Sequence, residues 1–107
     1  MDIVELKKDG ESLTLALKGR LDAISADDFS RKVAEATAEG ARHLLVEMSD
    51  LDYISSAGLR VILTAAKQLK KLGGELKLAA LQENVATVFK ISGFDKIIPI
   101  LPTCDDA

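Results

Sequence analysis

Two hydrophobic periods alternate along this chain, and that alternation narrows the folds open to it. Leu13, Leu15 and Leu17 recur at every second position, with Thr14, Ala16 and Lys18 between them, as on a strand. Phe29, Val33 and Ala36 then recur at helical spacing. Leu44-Leu45-Val46 returns to a continuous strand-like run, which predicts a strand over His43 to Met48 covered on both faces. Leu59, Ile62, Leu63, Ala66 and Leu69 make a second helical stripe, with Arg60, Thr64, Lys67 and Lys71 facing out. Leu76, Leu78 and Ala80 alternate again, and Val85, Val88 and Phe89 form a third helical face. Strands that take turns with helices build one mostly parallel sheet with helices packed on it.

Punctuation residues set the expected boundaries. A short strand over Ile3 to Leu6 leads to Asp9-Gly10, a turn signal, so the chain opens with a β-hairpin. Gly19 to Ile24 reads as a loop. Ser25 reads as the cap of a helix over Ala26 to Glu39, with Asp28 as its capping-box partner. Ser49 to Ser55 reads as a loop, and Ser55 or Ser56 opens the second helix, which Gly73-Gly74 stops. Gly93 ends the third helix. Ile97, Ile98 and Ile100 predict a last strand, where Pro99 suits an edge. Pro102 to Ala107 reads as a frayed tail. The expected class is α/β, in the order β-β-α-β-α-β-α-β, with one domain filling residues 1–107.

Composition excludes several functions. Aromatics make up 4% of the 107 residues, with no Trp, which argues against reading bases by stacking. The net charge is −3, whereas binders of nucleic acid and of anionic membranes carry basic surfaces. Lys67, Lys70 and Lys71 cluster at the end of the second helix, where they complement its dipole. Cys104 is the single cysteine, so no internal disulfide forms and a cytoplasmic setting is expected. Met1 to Lys8 lacks the apolar run of a signal peptide, and no stretch approaches the roughly 18 apolar residues that span a bilayer.

Catalytic chemistry has little to work with. His43 is the one histidine, and it falls at a strand start rather than a site edge. No His or Cys cluster has metal-ligand spacing, and no glycine-rich nucleotide loop occurs. Asp27-Asp28 sits in a helix first turn, a structural position for acids. The expectation is a binding protein without cofactor or metal, and not an enzyme.

The segment Tyr53-Ile54-Ser55-Ser56-Ala57-Gly58-Leu59-Arg60 stands apart: two hydroxyls at a helix start, then two small residues. Free amides and a partial positive charge at such a start hold phosphate well. A plain serine N-cap followed by a tolerated glycine accounts for the same residues. The segment resembles the motif of STAS domains of the anti-sigma factor antagonist family, with Ser56 on the phosphorylated serine. Ser55 stands where that family often has Asp. Gly19-Arg20-Leu21-Asp22, with Ser25 close behind, resembles the family's Gly-x-Leu/Ile-Asp loop. Phe89 to Phe94 resembles its closing helix, and the similarity covers nearly the whole chain. Only Pro102 to Ala107 remain for the helix that the family carries after its final strand, so that helix is expected to be missing or rudimentary.

The resemblance implies a partner switch. The unphosphorylated protein would bind an anti-sigma factor that is also a GHKL-type serine kinase, and so release a sigma factor. Phosphorylation of Ser56 would end that binding, and a PP2C-type phosphatase would restore it. Asp22, Ser25, Ser55, Ser56, Ala57, Gly58 and Arg60 are the expected partner-binding residues, with Asp22 beside Ser56. A monomer is expected, without membrane insertion or direct nucleic-acid contact. Two other readings belong to the same fold: a constitutive subunit of an ABC-type lipid transport complex, and a scaffold of a stress-sensing complex.

Overall fold

A computed structural model describes residues 1–104. The elements run β1 (Asp2–Asp9), β2 (Ser12–Leu21), α1 (Ala26–Ala38), β3 (His43–Ile54), α2 (Ser56–Lys71), β4 (Glu75–Ala79), α3 (Glu83–Ser92), a 3₁₀ turn over Phe94–Lys96, and β5 (Ile100–Leu101). Their order matches the β-β-α-β-α-β-α-β expectation.

The five strands lie in the sequence order β1-β2-β3-β4-β5. Only β1 runs antiparallel to its neighbour, joined to β2 through Gly10 at φ +60°. The other pairs are parallel. Each parallel strand lies beside the one before it, and right-handed crossovers that all step the same way bring α1, α2 and α3 to one face of the sheet. The buried residues of all three helices join those of the strands in one core cluster, with Phe29, Ile62, Leu69 and Phe89 reaching Leu15, Val46 and Leu78.

That arrangement corrects the expectation for Leu44 to Val46. Leu44 and Val46 are buried under the helices, whereas Leu45, on the other face, is half-buried. β3 is thus covered fully on one side only.

Several boundaries also differ. β1 spans Asp2–Asp9 rather than Ile3 to Leu6, because its ladder with β2 extends to both ends. β2 continues through Gly19 to Leu21, and β3 through Ser49 to Ile54, where loops were expected. The two extensions pair with each other, and backbone ladder bonds do not depend on side-chain polarity. The pairing slips between Ala16 and Lys18 and between Gly19 and Arg20, with Gly19 at φ +102°. These irregularities break the alternation that marks a strand in sequence. The stripe of α2 is turned from the expected one: Gly58, Ile62, Ala65 and Leu69 are buried, and Leu59, Leu63 and Ala66 flank them. The last strand is confined to Ile100–Leu101, since Phe94–Lys96 coils into a 3₁₀ turn and Ile97 and Ile98 lie in the turn that follows. Thr103 and Cys104 are described; the rest of the expected tail, 105–107, lies outside the described residues.

Candidate functional site

The ends of β2 and β3 and the starts of α1 and α2 meet at one rim of the sheet. The parallel register places Leu21 beside Ile54, the last residues of their strands. The Ser55 amide donates to the Leu21 carbonyl at 2.9 Å, which ties the start of α2 to the end of β2. Asp22 follows Leu21 directly, so the β2–α1 turn begins beside the strand end that holds the Ser55 amide.

Ser55 is the N-cap of α2, in extended backbone at φ −95°, ψ 175°. Its hydroxyl accepts from the Gly58 amide at 3.2 Å, and its carbonyl accepts from the Leu59 amide at 2.9 Å. The capping role falls to Ser55, so the neighbouring hydroxyl has no structural duty. Ser56 is exposed, is the first residue of the helix, and makes no side-chain hydrogen bond among the described residues. Arg60, one turn further on, is exposed and has no ion-pair partner among them.

Gly58 has a different role from the one expected. It is buried, and a Cβ built on it would lie 2.6 Å from the Leu21 carbonyl oxygen and 2.9 Å from Ile54 Cγ1. The close neighbour that this glycine admits is therefore the chain's own β2. Ala57 is partly exposed at the same helix start.

Ser25 is corrected in two respects. Its backbone is already helical at φ −87°, ψ −10°, and its side chain caps no amide of α1, so the capping box with Asp28 does not form. Its hydroxyl is turned inward, on a residue only 5% exposed. There Ser25 Oγ accepts from the Asp22 amide at 2.9 Å and donates to the Arg20 carbonyl at 2.8 Å. Ser25 thus shapes the turn from within.

Asp22 completes that turn. Its Oδ1 accepts from the Ile24 and Ser25 amides, each at 3.1 Å, and lies 3.1 Å from the Ser25 hydroxyl. The Ser25 amide foremost, with the Ile24 amide, holds the carboxyl below its ordinary pKa against the opposing effect of desolvation, and Arg20 adds a smaller pull in the same direction. The turn lifts Ile24 into solvent, 88% exposed.

Some contributors were not legible in the sequence. The Arg20 guanidinium lies over the Tyr53 ring at 4.2 Å from its centroid, and Tyr53 is 40% exposed. The Gln82 side-chain amide donates to the Ser49 carbonyl at 2.9 Å, and that of Asn84 to the Asp52 carbonyl at 2.7 Å. Both residues precede or open α3 and brace the end of β3 just before the Ser55-Ser56 step. These pairs lie 30 or more positions apart; the β2–β3 register sets Arg20 beside Tyr53, and the β3–β4 pairing leads the chain to the start of α3, where Gln82 and Asn84 reach β3.

Among the described residues no group of three or more His, Cys, Asp and Glu is placed to hold a metal, and no helix is long and apolar enough to cross a membrane. His43 is exposed at the far end of β3 from this rim.

This fold and this helix start are those of a STAS domain. The STAS domain family matches residues 4–107, and the chain belongs to it. It is 43% identical over 88 residues, 82% of this chain and 76% of the relative, to a Bordetella bronchiseptica protein provisionally named the anti-sigma factor antagonist BtrV. It is 33% identical over 97 residues, 91% of this chain and 88% of the relative, to the anti-sigma-B factor antagonist of Bacillus subtilis. The unphosphorylated anti-sigma factor antagonist SpoIIAA shares the fold, with a TM-score of 0.84 at 19% identity over 98% of this chain and 91% of that one.

Proposed function

We propose that this protein is an anti-sigma factor antagonist whose binding is switched by phosphorylation of Ser56. The observation that carries the proposal is the division of labour at the start of α2. Ser55 performs the cap, which leaves the Ser56 hydroxyl exposed and unbonded for a kinase. The names of the relatives from B. bronchiseptica and B. subtilis support the same reading.

In this scheme the unphosphorylated protein binds an anti-sigma factor that is also a GHKL-type serine kinase, and the sigma factor is released. The rim offers that partner Asp22, Ser55, Ser56, Ala57 and Arg60, while Gly58 and Ser25 shape it from beneath. A phosphate on Ser56 adds about −1.5 to −2 charges at the first residue of a helix, where the dipole favours negative charge. The fold tolerates that charge, but a surface fitted to a neutral hydroxyl does not. A penalty of about 2.8 kcal/mol weakens binding a hundredfold. A PP2C-type phosphatase returns the protein to its binding form.

The test is incubation with ATP and the cognate kinase. A mass gain of one phosphate, mapped to Ser56 and absent from Ser56→Ala, is the expected result. Ser56→Asp is expected to lose at least about a hundredfold in kinase affinity, while its melting temperature stays that of the parent. A variant that keeps its affinity, or one that unfolds, would overturn the proposal.

A further inference from the structure

We propose that Arg60 is the intramolecular receptor for the phosphate on Ser56, so that the modified side chain is clamped to the outer face of α2. The inference rests on the reading of Ser56 as the phosphorylated residue and extends it to what the chain does with the phosphate. Ser56 and Arg60 are four residues apart on one helix, and both are exposed. At that spacing side chains are neighbours on the helix surface. Helical side chains lean toward the N-terminus, so the long Arg60 side chain extends back over the turn that Ser56 begins. An acid placed four residues before a base is also the more favourable order.

Arg60 is free to take this role, having no ion pair among the described residues. The other arginine near the rim, Arg20, is engaged over the Tyr53 ring. Asp22 on the β2–α1 turn and Asp52 on β3 are acidic and cannot receive a phosphate, and the cations Lys18, Arg31 and Lys32 of β2 and α1 are paired with Asp50, Asp28 and Glu5. A guanidinium presents a planar pair of N–H donors that fits two phosphate oxygens at once.

The clamp gives Arg60 opposite roles in the two states. Unmodified, its charge is available to an acidic group on the partner. Phosphorylated, the same charge is neutralised within the chain, so the modification removes an attraction as well as adding a repulsion.

Protein carrying phosphoserine at position 56, installed by genetic encoding rather than by a kinase, provides the test. The phosphate is titrated by phosphorus-31 NMR in the parent, in Arg60→Gln and in Arg60→Lys. The expected result is a second phosphate pKa lower in the parent than in Arg60→Gln by about half a pH unit or more. Arg60→Lys should fall between them, and the difference should shrink in 1 M salt. Superimposable titrations of the parent and Arg60→Gln would overturn the clamp, as would loss of helical circular dichroism on phosphorylation. A kinase that fails to modify Ser56 would instead defeat the switch, a separate outcome, because the encoded phosphoserine does not depend on it.

Discussion

At the scale of single residues, the rim depends on buried atoms beneath its surface. Gly58 lets α2 approach the Leu21 carbonyl, and Gly58→Ala would place a methyl 2.6 Å from that oxygen. Alanine is favoured over glycine in a helix by about 1 kcal/mol. The clash outweighs this, and a net loss of about 1–2 kcal/mol is expected in urea unfolding; an unchanged midpoint would contradict the close approach. Ser25→Ala strips the Arg20 carbonyl and the Asp22 amide of their shared partner inside the turn, at an expected cost of about 1–3 kcal/mol. Asp22 adds a dependence on pH. Its folded pKa is lowered, so its contribution is present above the ordinary aspartate value and is lost as pH falls through the folded one. The parent should exceed Asp22→Asn in stability at pH 7, and the gap should close below about pH 4. Thermal melts at the two pH values check the sign. In the sequence, Ser56 and Arg60 were legible as exposed residues of a helix start. The burial of Ser25 was not, because a serine before a helix carries the same letters whether its hydroxyl turns to the helix amides or back to the preceding strand.

At the scale of elements, what the sequence revealed depended on period. α1 was legible to within a residue, and α3 by its face and its end at Gly93, since Phe29, Val33 and Ala36, and Val85 and Phe89, each lie on one buried stripe. The second half of β3 was hidden. Met48, Leu51 and Ile54 are buried, but three residues apart rather than two, because the register with β2 slips along this stretch. Polar Ser49, Asp50 and Asp52 completed the disguise. The link between α2 and β4 is another point that letters alone understate. Gly74 reads as a helix stop, yet a Cβ there would lie 1.7 Å from the Arg42 carbonyl oxygen, the same oxygen that accepts from Glu75 and starts the β3–β4 ladder. Gly74→Ala is therefore expected to destabilise the protein more than Gly73→Ala. The φ of +86° at Gly73 opposes a side chain, but nothing stands within 4 Å of its Cβ. Parallel denaturation curves of the two variants would rank them.

At the scale of the molecule, strands and helices share one core, so damage to any part of it is felt everywhere. Phe89, on the last helix, is fully buried in the same cluster as Phe29 on the first. Phe89→Ala is expected to cost about 3–5 kcal/mol and to leave one cooperative transition, seen alike by fluorescence and circular dichroism. Two separate transitions would mean that α3 and its strand form a unit of their own. The edge strand β1 carries a further property of the particle. Between Glu5 and Lys7 its ladder with β2 skips a residue, and charged Lys7, Lys8 and Asp9 follow the skip. An interrupted, charged border makes a poor template for a sister strand. Crowded copies of this protein would therefore find no straight seam along the β1 border on which to zip into fibres.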